Sequence, residues 1–276
     1  YKTLQADPFW DKRDKDYHVV INVPFTYPAP ELNGKLVSGF VAPELSKAVY
    51  PDSLKSELKE MDYKIDVDST KAHKSKELFL EKLFGVLEKR KQAYQKLWEE
   101  DWDTFFFVIT GTDRLMHFLW NAFEGPDQEY RKEFVEFYEK VDEIIGDINS
   151  RSKESDRLTI VSDHGFGPSK YSFNVNAALK NNGFLELEDE PSKKNYNALS
   201  AETKAFALDP GRIYLNLEDQ FPSGSANNKD RDKILKDLKE LFTGITHNGN
   251  TIIKQAYEGR KVYEGTRPDS PGSGKI

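Results

Sequence analysis

Strand-length, apolar-rich runs alternate with charged, helix-like stretches, and this alternation constrains the fold more than any other feature. The clearest runs are residues 17–24, 104–111 and 157–162, each followed by a proline, a glycine or a polar loop. Apolar runs of this length are typical of strands covered on both faces, as in a parallel sheet. Because helical stretches separate them, the pattern predicts an α/β fold with a mainly parallel central sheet.

A long charged segment separates the first two of these runs. Residues 51–100 are rich in Lys and Glu and show helical periodicity. One apolar stripe at helical spacing is formed by Leu80, Leu83, Phe84 and Leu87. We therefore predict a helical insertion, or cap, over about residues 42–100, between two strands of the sheet.

The remaining elements follow from the same periodicities. We predict helices over about 113–123, 127–150, 173–182 and 229–242, a strand over 184–187, and a hairpin over 204–217. Thr112 is expected to cap the helix that begins at Asp113. The chain shows no internal repeat, and we expect residues 1–276 to belong to one domain.

Composition excludes several classes of protein. The net charge is −7, and Lys and Arg are interspersed with Asp and Glu, which argues against a binder of nucleic-acid duplexes. No apolar run approaches the ~18 residues that a membrane span needs. The chain has no cysteine, so any metal must be held by histidines and carboxylates. The sequence does not assign a compartment.

Two Asp–His pairs follow predicted strands at their C-terminal ends, where open α/β sheets bind ligands. Asp113 and His117 are four residues apart, so on a helix they share one face. Asp163 and His164 lie in a glycine-containing loop, whose backbone freedom allows both side chains to point into a cleft. Imidazole and carboxylate are ligands of zinc and manganese. The sequence therefore predicts a metal site built from both pairs.

Each pair also has a simpler explanation. An Asp and a His four residues apart on a helix are more often an exposed polar pair, and Asp-His-Gly after a strand is often only a turn. Their joint placement after two strands favours metal binding. The other histidines, His18, His73 and His247, are interpreted as structural or solvent-exposed. The acidic segment around Asp66 is not an EF-hand, because Lys71 occupies the position of the required glycine.

Several segments of the chain resemble the type I phosphodiesterase/nucleotide pyrophosphatase branch of the alkaline phosphatase superfamily. Two of them are Thr-Asp-Arg-Leu-Met-His, which begins at Thr112, and Ser-Asp-His-Gly-Phe-Gly, which begins at Ser162. In chain order the similar segments are residues 8–11, 20–28, 33–43, 112–120, 161–168, 173–185 and 211–216. The ordered set is much more specific than any single segment.

The resemblance implies a three-layer α/β/α sandwich that holds two divalent ions, with zinc favoured over manganese. Asp113 and His117 would bind one ion, and Asp163 and His164 the other. A Thr or Ser nucleophile would attack phosphorus and form a covalent phosphoenzyme, which water then hydrolyses. The substrate would be a small phosphorylated molecule such as a nucleotide.

The chain departs from the family pattern at both ends. The nucleophile and the first aspartate would lie upstream of Tyr1, and a final metal-binding histidine would lie beyond Ile276. We therefore expect this fragment to carry four ligands and no nucleophile, and to be inactive alone. Two alternatives stay open: a phosphomutase or sulfatase on the same scaffold, and a non-catalytic domain that retains part of the metal site.

Overall fold

The computed structural model describes residues 7–68, 74–126, 128–188 and 198–262. The chain divides into two units, Tyr1–Pro168 and Ser169–Ile276. Among the described residues, none of the helices combines the length and the apolar character that crossing a membrane requires.

A four-stranded sheet forms the centre of the first unit. Its strands are β1 (His18–Val23), β2 (Gly34–Ser38), β3 (Val49–Tyr50) and β4 (Thr104–Phe107), in the order β3-β2-β1-β4. β1 runs parallel to both β2 and β4, whereas β3 is antiparallel to β2. The α/β class with a mainly parallel central sheet is therefore confirmed.

Successive side chains of β1 point to opposite faces of the sheet, and both faces are buried. Val19 and Ile21 are fully buried in the main core of the unit, whereas Val20 packs with Leu36 and Trp10 on the opposite face. The main core also contains residues from four helices, α1 (Leu54–Glu60), α2 (Lys76–Trp98), α3 (Gly111–Glu124) and α4 (Arg131–Arg151). The sheet thus fixes the position of α3, which carries the first Asp–His pair.

The charged segment before β4 is helical, as its periodicity predicts. The second of its helices, α2, begins where the Ser75 hydroxyl accepts a hydrogen bond from the Leu78 N–H at 3.1 Å. Residues 42–100 also contain β3, a strand too short to be visible in the sequence pattern. It pairs through Val49 and Tyr50 and extends the sheet beyond β2.

Three predictions of local structure are wrong. Residues 157–162 form no strand, and Ile160 and Val161 are 68% and 81% exposed. An apolar run forms a strand only where another strand pairs with its backbone, and none of the described strands does so. Residues 184–187 form only the isolated bridge Leu187–Leu199. Thr112 does not cap α3, because the helix already begins at Gly111.

The second unit has its own core. Its elements are α5 (Val175–Asn181), β5 (Ala205–Asp209), β6 (Arg212–Leu215), α6 (Arg231–Thr243), β7 (Thr246–His247), β8 (Asn250–Thr251) and α7 (Gly259–Val262). The predicted hairpin and the two predicted helices are confirmed as β5–β6, α5 and α6. The Asn176 side chain joins α5 to β5 by two hydrogen bonds of 2.8 Å with the backbone of Ala207.

Candidate metal centre

Helix α3 brings the first Asp–His pair together. Asp113 lies in the first turn, and its Oδ1 is 3.4 Å from His117 Nε2, one turn later. The start of the helix is held close to α4, because a Cβ atom at Gly111 would lie only 2.5 Å from Cζ of the buried Phe137. The pair itself is accessible: the Asp113 side chain is 33% exposed and that of His117 is 55% exposed.

The second pair lies in the irregular segment after residue 162. His164 Nε2 is 3.5 Å from Asp163 Oδ2, and both side chains are exposed. His164 Nδ1 lies 2.9 Å from the carbonyl oxygen of Gly165, and Ser162 Oγ donates to the His164 carbonyl at 2.6 Å. A proton on Nδ1 donates to that carbonyl, which leaves Nε2 directed towards the two aspartates.

The structure brings the two pairs to one place. His164 Nε2 lies 4.0 Å from Asp113 Oδ1, so the second pair approaches the start of α3. Phe166 supports this approach, with its ring centroid 4.9 Å from that of His117. The Gly165 carbonyl and the carboxylates of Asp163 and Asp113 raise the pKa of His164 above its ordinary value, because each favours the protonated ring. The cluster therefore attracts a positive charge.

The separations within each pair fit shared coordination of a cation. Two ligands about 2.0–2.1 Å from a tetrahedral zinc ion are roughly 3.3 Å apart. The observed separations are 3.4 Å for Asp113 with His117 and 3.5 Å for Asp163 with His164. Within the described residues, however, no three His, Asp or Glu side chains group closely enough to hold one ion. The kinds of ligand therefore fit zinc or manganese, but their number does not complete a site.

Arg114 is a neighbour of this cluster that the sequence did not reveal. It donates to Asp66 Oδ2 from Nε at 3.0 Å and from Nη2 at 2.7 Å, and its Nη1 is 3.8 Å from Asp113 Oδ2. A second arginine, Arg90, holds the same segment by donating to the Ile65 carbonyl at 2.5 Å. In the sequence, the only indication of a role for Arg114 is its position next to Asp113. The spacing of the residues does not identify Asp66 as its partner.

Two of the other histidines have neighbours of their own, and the third lies outside the described residues. His18 is fully buried at the first position of β1, and its Nε2 is 3.0 Å from the Arg13 carbonyl oxygen. His247 belongs to the second unit, where its ring packs against Tyr171. His73 lies outside the described residues. The structural interpretation of His18 agrees with its burial.

Comparison with known proteins gives one informative result. No curated protein and no solved structure matches the chain. The family model described as type I phosphodiesterase/nucleotide pyrophosphatase matches residues 2–272, which span both units and both Asp–His pairs. The chain therefore belongs to the type I phosphodiesterase/nucleotide pyrophosphatase family of hydrolases.

Proposed function

We propose that the chain provides the two-metal centre of a phosphodiester or pyrophosphate hydrolase. Asp113 and His117 hold one divalent ion, and Asp163 and His164 hold the other, with zinc preferred to manganese. The observation that carries the proposal is the convergence of the two pairs, with His164 only 4.0 Å from Asp113. When bound, such ions activate the attacking oxygen and stabilise the leaving oxygen.

The residues of the chain have distinct roles in this proposal. The two aspartates place negative charge where a cation is needed, and the two imidazoles present neutral nitrogen donors. Arg114 lies beside Asp113 and is held by Asp66, so it fixes the direction of that carboxylate. The substrate is a small phosphorylated molecule such as a nucleotide, in keeping with the family.

The nucleophile belongs to residues outside 1–276, and the chain by itself is inactive in this proposal. The family match over residues 2–272 supports the further proposal that both units belong to one alkaline-phosphatase-like domain, with residues 42–100 as its insertion. Hydrolysis of bis(p-nitrophenyl) phosphate by the purified 276-residue chain, abolished by a chelator, would contradict the placement of the nucleophile.

The decisive experiment uses a protein that carries this chain together with its nucleophile. Asp163→Asn and His117→Ala should each remove most of the turnover of bis(p-nitrophenyl) phosphate while the melting temperature stays close to that of the wild type. Excess zinc should partly rescue His117→Ala, because a weakened ligand set is refilled by mass action. Near wild-type turnover by both folded variants would refute the metal assignment. Turnover of p-nitrophenyl sulfate in place of the phosphodiester would favour the sulfatase alternative.

A further inference from the structure

We propose that Asp66 is a positioning residue of the candidate metal centre, and that it acts by holding the Arg114 guanidinium away from the Asp113 carboxylate. Asp66 lies between α1 and α2, so the inference brings a residue of the charged segment before β4 into the centre. It rests on the proposed hydrolase function, because it concerns the carboxylate that this function assigns to one divalent ion.

Arg114 is a competitor for the place of a cation at Asp113. The two residues are adjacent in the first turn of α3, and Arg114 Nη1 lies 3.8 Å from Asp113 Oδ2. A guanidinium nitrogen that donates to a carboxylate lies about 2.7–2.9 Å from the oxygen, so a shift of roughly 1 Å would complete an ion pair. That pair would neutralise Asp113, and a divalent ion would have to displace an arginine in order to bind.

Asp66 holds the guanidinium by a different edge. Its Oδ2 accepts hydrogen bonds from Arg114 Nε at 3.0 Å and from Nη2 at 2.7 Å, the two nitrogens other than Nη1. The side chains of Asp66 and Arg114 are 15% and 14% exposed, so little solvent screens these charged hydrogen bonds. The Phe40 ring also contacts the guanidinium, 4.1 Å from the ring centroid. Arg114 is therefore held at one edge and one face, and its 3.8 Å separation from Asp113 is maintained.

This arrangement leaves one oxygen of Asp113 for a cation. Oδ2 is the oxygen nearest to Arg114, whereas Oδ1 lies 3.4 Å from His117 Nε2 and 4.0 Å from His164 Nε2. The oxygen beside the proposed nitrogen ligands is thus the one that faces away from the arginine contact. The charge of Arg114 is also compensated by Asp66, which matters because an unpaired guanidinium at this distance would repel a divalent ion.

The position of Asp66 is fixed by hydrogen bonds from α2 and from the residue before α3. Arg90 of α2 is 1% exposed and donates to the Ile65 carbonyl at 2.5 Å. It also donates to Thr110 Oγ1 at 2.9 Å, and this hydroxyl donates in turn to Asp66 Oδ1 at 3.4 Å. Because Thr110 directly precedes α3, these bonds set where Asp66 lies relative to the start of that helix. Asp66 therefore acts on the metal centre from a fixed position.

Titration calorimetry with zinc on the 276-residue chain measures the effect at the ion. Asp66→Asn keeps the size of the side chain but removes the charge that holds Arg114. His117→Ala identifies the binding step that belongs to the Asp113 pair. At that step Asp66→Asn should weaken zinc affinity by roughly tenfold, which corresponds to about 1.4 kcal/mol, close to the value of one charged hydrogen bond.

Removal of Arg114 separates this mechanism from a general effect of charge. In the Arg114→Gln background the competitor is absent, so Asp66→Asn should leave zinc affinity nearly unchanged. Equal weakening with and without Arg114 would overturn the inference, because Asp66 would then act only through its own charge. Asp147→Asn is the matched control, since Arg151 Nε pairs with Asp147 Oδ1 at 2.9 Å in the same unit, and it should leave zinc affinity unchanged.

Urea unfolding in the presence of a chelator gives a readout that needs no metal. Once released, Arg114 should pair with Asp113, so Asp113→Asn should lower the urea midpoint more in the Asp66→Asn background than in the wild type. Equal shifts in both backgrounds would overturn the inference. Circular dichroism checks the fold of each variant. Gly146→Ala is added to all of them if Asp66→Asn is only partly folded, because a Cβ at Gly146 meets nothing within 4 Å and alanine favours the helix.

The outcomes separate the positioning role of Asp66 from the proposed function. If zinc binds at the Asp113 pair with equal affinity in the wild type and in Asp66→Asn, the positioning inference fails and the metal proposal stands. If the chain binds no zinc at either pair while the urea midpoints shift as expected, Asp66 still holds Arg114 away from Asp113 and the two-metal function fails.

Discussion

Replacement of Gly111 by alanine tests how tightly the start of α3 is packed beneath the candidate metal centre. The added Cβ would lie 2.5 Å from Cζ and 3.2 Å from Cε1 of Phe137, both well inside ordinary contact distance. Phe137 is fully buried, so its ring has no open space to enter. Overpacking of this kind costs about 1–3 kcal/mol of unfolding free energy. We therefore expect Gly111→Ala to destabilise the first unit by this amount.

Two other helical glycines provide controls, because alanine at these positions should raise stability instead of lowering it. A Cβ at Gly85 in α2 or at Gly146 in α4 meets nothing within 4 Å. Alanine at either position should therefore stabilise its helix by about 0.5–1 kcal/mol. All four tryptophans lie in the first unit, so urea unfolding followed by tryptophan fluorescence reports its stability. The reasoning is refuted if Gly111→Ala is as stable as Gly146→Ala. In the double variant with Phe137→Leu, the two losses should be less than additive.

Three further predictions concern residues around the same unit. The Tyr94 hydroxyl lowers the pKa of Asp147 from 3.8 to about 2. Asp147→Asn should therefore be less stable than the wild type at neutral pH, and in acid titrations this difference in stability should vanish as the pH falls towards about 2. Ile160→Thr should change the unfolding free energy by no more than about 0.5 kcal/mol in urea unfolding, since Ile160 is exposed, and a loss of several kcal/mol would show that its segment is buried. Asp66→Asn should lower the unfolding free energy by about 1–3 kcal/mol, because it removes the charged acceptor of Arg114. An unchanged midpoint of urea unfolding would show that this pair adds nothing to stability.

The sequence was sufficient where local chemistry decides the structure. The β-branched run that contains Val19, Val20 and Ile21 predicts β1, and the periodicity of the charged segment predicts α2. The placement of Asp113 and Asp163 after two strand-like runs predicted that both Asp–His pairs would converge. His164 does lie 4.0 Å from Asp113, but residues 157–162 form no strand, so the reason behind that prediction does not hold for the second pair. The predictions of β1 and α2 depend on side-chain periodicity, which a sequence displays.

The sequence was insufficient where a distant partner decides the structure. Residues 157–162 have the composition of a buried strand, but a strand needs a neighbour for its backbone, and composition does not supply one. The role of Asp66 was missed for a similar reason. Its partner Arg114 is 48 residues away in the chain, and no local spacing connects them. The left-handed backbone conformation of Val41, with φ 70°, likewise leaves no mark in the residue pattern.

The central claim, that two Asp–His pairs hold two divalent ions, is tested most directly by anomalous X-ray scattering at the zinc edge from crystals of the chain grown with zinc. The account predicts one peak about 2.0–2.1 Å from donor atoms of Asp113 and His117, and a second at the same distance from Asp163 and His164. Absence of zinc from both pairs in a folded, zinc-saturated crystal, or zinc bound only at other residues, would contradict it.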